Sequence, residues 1–124
     1  MRKLSSLNYL ILFFALVSIS FAANCGGSTP CNCGDTIIEN YTMTSDLPCS
    51  GTALTIGADH ITLDCQGYTI NHTGSGSGIN ASGRTNITIK NCNIIGSTSV
   101  ANNYGIYFYS TSNSFILNNN LNYS

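Results

Sequence analysis

Apolar and polar residues alternate in short runs along the second half of the chain. Ile79-Asn80-Ala81-Ser82, Ile87-Thr88-Ile89-Lys90 and Ile106-Tyr107-Phe108-Tyr109 each set apolar side chains two positions apart. Period two is the strand signature, because successive side chains leave a strand on opposite faces. Each run ends quickly in Gly, Ser or Asn, and residues 75–78, 82–83 and 96–99 carry turn chemistry. The pattern predicts many short strands joined by tight turns.

The runs recur. Asn86, Ile89, Asn91, Asn93 and Ile94 are followed 27 positions later by Asn113, Ile116, Asn118, Asn120 and Leu121. Gly78-Ile79 returns as Gly105-Ile106, and Cys65 as Cys92. Ile61-Thr62-Leu63 precedes Ile87-Thr88-Ile89 by 26, so the spacing wobbles as a loop gains or loses a residue. A period of this length signals stacked repeats. Three short strands per unit make one coil of a β-solenoid, with the next coil about 4.8 Å above it and parallel to it. Ile79 and Ala81 then point inward beneath Ile106 and Phe108, Ile89 lies beneath Ile116, and Met43 stacks with Ile70. The recurring Asn pairs 86/113, 91/118 and 93/120 are candidates for amide ladders, or are solvated turn residues.

The stretch before the repeats differs. An open solenoid end needs a plug, and residues 23–52, rich in Cys and Gly, read as that cap, with strands near 36–39 and 41–44. Residues 53–124 are the repeats, about three coils. Cys33 and Cys49 bracket the cap and form the first expected disulfide; Cys25 and Cys31 form a second. Cys65 and Cys92 share one repeat position, as stacked buried thiols or as a bridge between coils.

Residues 1–22 have the layout of a secretory signal peptide: Arg2 and Lys3, an apolar run over 10–17, and small residues at Ser20 and Ala22. An uncleaved anchor is the rival, but Ser18 and Ser20 interrupt the run early. A cut after Ala22 leaves no membrane segment. Six cysteines, all beyond that point, suit an oxidising compartment. Charged residues are 7% of the chain. Beyond residue 22 the only side-chain cations besides His are Arg84 and Lys90, which argues against nucleic acid as a partner. Sequons occur at Asn40, Asn71, Asn80, Asn86 and Asn122, although a chain this rich in Asn, Ser and Thr also writes them by chance.

The segments "CGDTI", "GTALTIGADHITLDCQGYTI" and "NITIKNCNI", with their Gly-Ile openings, resemble the right-handed parallel β-helix repeat proteins, a class that includes exported and surface proteins, pectate-lyase-like enzymes and NosD-type periplasmic copper-binding proteins. The resemblance covers residues 33–124. It implies an all-β, right-handed parallel β-helix, here its N-terminal portion, C-terminally truncated, with further coils of a longer chain expected.

The chemistry of such enzymes is sparse here. No Asp or Glu follows Asp64, while glycoside hydrolysis typically needs two carboxylates. Lys90 stacks one coil above Asp64 as an exposed ion pair, and Arg84 sits alone in a turn. His60 and His72 lie in or beside turns, and Cys31-Asn-Cys33 is expected to be oxidised, so no metal, cofactor or catalytic residue is assigned. Tyr107 and Tyr109 face outward two residues apart, with Tyr104 just ahead: a flat aromatic platform suited to sugar rings, or plain β-propensity. The expected function is a non-catalytic secreted or cell-surface module, structural or adhesive, binding carbohydrate or another cell-envelope component. The alternatives are a polysaccharide lyase or hydrolase with its active site in further coils, and a NosD-type copper-handling protein.

Overall fold

The computed structural model describes residues 22–124; the leader expected over residues 1–22 lies, Ala22 apart, outside the described residues. Thirteen strands follow in order: β1 (Asn24–Cys25), β2 (Asp35–Ile37), β3 (Tyr41–Thr42), β4 (Leu47–Ser50), β5 (Leu54–Ile56), β6 (Thr62–Asp64), β7 (Thr69–Thr73), β8 (Gly76–Asn80), β9 (Thr88–Lys90), β10 (Asn93–Gly96), β11 (Asn103–Tyr107), β12 (Phe115–Leu117) and β13 (Asn120–Tyr123). They form three sheets, β1-β2-β5-β8-β11, β3-β6-β9-β12 and β4-β7-β10-β13. Every strand pairing is parallel. Each sheet collects one strand per turn of chain, so the architecture is an all-β parallel solenoid of about three turns.

The register shows how the period arises. In the last coil Ile79 pairs with Ile106, Ile89 with Ile116 and Ile94 with Leu121, each 27 apart. One coil earlier the pairs are Leu54–Ile79, Leu63–Ile89 and Ile70–Ile94, offset by 25, 26 and 24. At the first coil Ile37–Ile56, Tyr41–Leu63 and Leu47–Ile70 are offset by only 19, 22 and 23. The coils lengthen along the chain. This corrects one expected stack: Leu47, not Met43, lies beneath Ile70. Met43 is buried one step past Thr42, whose partner is Asp64, and its amide donates to the Asp64 carbonyl. The 27-residue rule fails there because the first coil is shorter.

The shaft is filled by Ile37, Leu54, Ile56, Leu63, Ile70, Ile79, Ile87, Ile89 and Ile94, all essentially fully buried. Each contributes about 1.5–3 kcal/mol by leaving water, an upper estimate because the unfolded chain already hides some surface. Ala81 is fully buried, and Ile106 and Phe108 are partly buried and packed against the core. At the top of the stack Ile116 and Leu121 remain 48% and 46% exposed, although they stand over fully buried Ile89 and Ile94.

Asn residues shape the corners. His60, Asn86 and Asn113 all have positive φ, as do Gln66, Asn91 and Asn118. Asn tolerates this left-handed backbone better than most residues. The amide ladder forms at one of the three expected pairs: Asn120 donates to Asn93 at 3.2 Å, and Asn93 to Thr69 at 2.9 Å. At the other two, the Asn side chain meets a different partner below: Asn86 bonds His60 and Asn91 donates to Asp64.

Three disulfides link all six cysteines. Cys25–Cys31 ties β1 to the loop after it, and Cys33–Cys49 ties that loop to β4. Cys65–Cys92 joins one coil to the next, which resolves the two readings of that position in favour of a bridge. Asn119 takes the same repeat position one coil higher. It accepts from the Cys92 amide and donates to the Ile89 carbonyl, pinning the last turn. Three disulfides fit an oxidising, extracellular or periplasmic setting.

Candidate functional site

The outer face of the β1-β2-β5-β8-β11 sheet carries the candidate platform. Strand β11 starts on the Asn103 amide, whose Oδ1 accepts from Ser97 and whose Nδ2 donates to the Gly74 carbonyl. Ile106 packs against the core, while Tyr107 lines an open surface depression. Tyr107 lies in register over Asn80, and Asn80 over Thr55. Tyr104 stands over Ser77 and is 45% exposed; Tyr109, just past the strand, is 65% exposed. Ring centroids are 5.2 Å apart for Tyr104–Tyr107 and 6.4 Å for Tyr107–Tyr109, the latter pair within 9° of parallel. Such spacings let the rings present one continuous apolar surface.

Beside these rings lies a shallow depression of about 290 Å³, lined by Thr52, Ser75, Asn80, Asn102, Tyr104 and Tyr107 among others. Among the described residues, no charged side chain lines it. Asn80 Oδ1 accepts from both the amide (3.1 Å) and the hydroxyl (2.7 Å) of Ser82, so its orientation is fixed within its own sequon. The Tyr104 hydroxyl donates to Asn102 at 3.4 Å. The site therefore offers aromatic faces, amides and hydroxyls, all neutral.

The other sequons sit apart. Asn40 is exposed and accepts from the Thr62 amide. Asn71 is exposed on β7. Asn86 is exposed, but its Nδ2 is engaged by His60. Asn122 is exposed on the outer row above Ile95 and Asn71.

A second depression, about 360 Å³, lies on the β3-β6-β9-β12 sheet and includes Asn40, Thr42, Thr62, Asp64 and Lys90. Lys90 Nζ is 3.9 Å from Asp64 Oδ2. The Asn91 amide, the Gln66 N–H and Lys90 hold the Asp64 carboxyl below its usual range. Asp64 is thus an anion with three partners rather than a poised base. Arg84 is not alone: its Nε donates to the Ile56 carbonyl at 3.2 Å.

His72 is where the sequence reading goes wrong. His60 lies at a turn as expected, with φ 60°. His72 instead lies inside β7 and is fully buried. Its Nε2 is 3.3 Å from the Tyr123 hydroxyl, and its Nδ1 has no protein partner among the described residues. Glycines make the room. A Cβ on Gly96 would meet His72 Nε2 at 2.9 Å and collide with Asn103 and Tyr123, and one on Gly105 would meet the Tyr123 hydroxyl at 2.8 Å. Burial lowers the pKa of His72, so the imidazole stays neutral. The missed signal was the alternation itself: His72 is two residues from inward Ile70.

Among the described residues, no group of three or more His, Cys, Asp or Glu is placed to share a metal ion. Searches with the chain found no matching protein-family model, no matching curated protein and no matching solved structure.

Proposed function

We propose that this chain is part of an exported, non-catalytic β-solenoid that binds neutral carbohydrate on its tyrosine face, as a structural or adhesive module of the cell envelope. The observation that carries the reading is the row Tyr104, Tyr107 and Tyr109 beside an uncharged, amide-rich depression. Sugar rings have apolar C–H faces and polar rims. Stacked tyrosines match the first, and the amides of Asn80 and Asn102 match the second. The lack of a cation in the lining disfavours uronates and other acidic sugars. Export is supported by the leader-like residues 1–22 and by the three disulfides. Kinship with the right-handed parallel β-helix repeat proteins rests on the repeat and the solenoid alone.

A glycan array tests the reading. The chain should bind neutral glycans, and Tyr107→Ala with Tyr109→Ala should weaken that binding at least about tenfold, as loss of two stacking contacts implies. Binding confined to acidic glycans, or equal binding by the double variant, contradicts it.

A further inference from the structure

Asp35 is the buried acid among the described residues, 4% exposed at the start of β2. Its carboxylate accepts two hydrogen bonds, from the Ala23 amide to Oδ1 at 3.0 Å and from the Asn32 amide to Oδ2 at 2.8 Å. Both donors are neutral. The side-chain cations beyond residue 22 are engaged elsewhere, Lys90 beside Asp64 and Arg84 on the Ile56 carbonyl. A buried carboxylate without a cation is costly. The sequence meanwhile marks Ala22–Ala23, after Ser20-Phe21-Ala22, as the bond a leader peptidase would cut. The Ala23 nitrogen is thus both the atom at the cut and the donor that Asp35 holds.

We infer that the Ala22–Ala23 bond is hydrolysed on export and that the α-ammonium so created at Ala23 is the cation that Asp35 holds, closing the N-terminal cap with an ion pair. The inference rests on the export reading and goes beyond it. In the cut, the Ala22 carbonyl carbon takes the hydroxyl of water and the Ala23 nitrogen takes its hydrogen. The C–N bond breaks, the new acid loses a proton and the new amine gains one. The nitrogen does not have to move. The Thr36 amide donates to the Ala23 carbonyl at 2.8 Å, Asn24 and Cys25 pair with Thr36 and Ile37, and Cys25–Cys31 anchors the strand. One other titratable side chain lies close by among the described residues: the Tyr41 hydroxyl accepts from the Cys31 amide, next to Asn32, at 3.2 Å. Cys25, Cys31, Cys33 and Cys49 are bridged, β5 brings only Leu54, Thr55 and Ile56, and Glu39 lies against Gly26 and Gly27 at the far end of β1.

The experiment has two arms. N-terminal sequencing of the exported chain should read Ala23-Asn24-Cys25; any other start overturns the inference. In the chain beginning at Ala23, obtained by export or by cutting a fusion, the amine should titrate about one unit or more above its ordinary range of about 7.7–8.0. The stability it brings is then present below about pH 8 and lost as pH rises through the raised value. Asp35→Asn should return the amine to its ordinary range. A chain that keeps Ala22 retains the amide contacts and folds, but lacks this pH dependence. An amine that titrates normally in the folded Ala23 chain overturns the pairing even where export holds. A chain found only inside the cell with residues 1–22 attached overturns export and cleavage together.

Discussion

At the scale of single residues, His72 is the most open to test because it is the most deeply buried ionisable ring among the described residues. Its folded pKa lies below the ordinary value of 6.5. For a histidine with a depressed folded pKa, stability is full above the unfolded value and falls as pH drops below it, since only the unfolded chain takes up the proton. The His72 contribution to the melting temperature should therefore be constant from about pH 6.5 to about pH 8, below the range in which the Ala23 amine titrates, and decline below about pH 6.5. His72→Phe, which cannot charge, should flatten that decline; an unchanged slope would place its cause elsewhere. Asp64 acts in a separate window, because its depressed carboxyl yields stability that is lost only as pH falls below 3.8. Gly96 makes a second residue-scale case. Gly96→Ala drives a methyl group toward His72, Asn103 and Tyr123, and should cost about 1–3 kcal/mol in denaturant unfolding. No loss would mean that the His72–Tyr123 slot is looser than described.

At the scale of elements, the columns decide stability, and position within a column decides how much. Ile89 and Ile116 are adjacent rungs of one column, one fully buried and the other about half exposed. Ile89→Ala should cost about 2–5 kcal/mol, as truncation of a packed aliphatic does, and Ile116→Ala less than half of that. Equal losses in urea unfolding would mean that both sit in the same environment. The same columns show what the sequence could reveal. Rungs built from a strict repeat, Ile79 under Ile106 or Ile94 under Leu121, were legible because like residues recur at one spacing. Met43 was misplaced because the first coil is five residues shorter at Tyr41–Leu63, an offset of 22 against 27, and no composition signal marks the change. Tyr107 was placed outward by alternation alone. Its company with Asn80, Asn102 and Thr52 was not legible, since it depends on the corner 97–102 folding back beside β8.

At the scale of the whole molecule, the solenoid divides its labour by face. The bore is aliphatic, the corners use Asn and Gly for left-handed backbone, and the outer faces carry whatever chemistry there is. One outer face holds the tyrosines and another the Asp64–Lys90 pair. A rigid stack suits a platform of this kind because it fixes ring spacing without a loop having to order on binding. All of it depends on coils lying in register. Strand partners are about 4.8 Å apart, and a slip of one residue moves them about 3.3 Å along the strand and turns the side chain to the opposite face. Cys65 and Cys92, 27 apart with Cα atoms 4.8 Å from each other, can bridge only in the register described. Mass-spectrometric mapping of the unreduced chain therefore tests the fold most directly. It should return Cys25–Cys31, Cys33–Cys49 and Cys65–Cys92, whereas Cys65 or Cys92 linked to a cap cysteine would contradict the stacking.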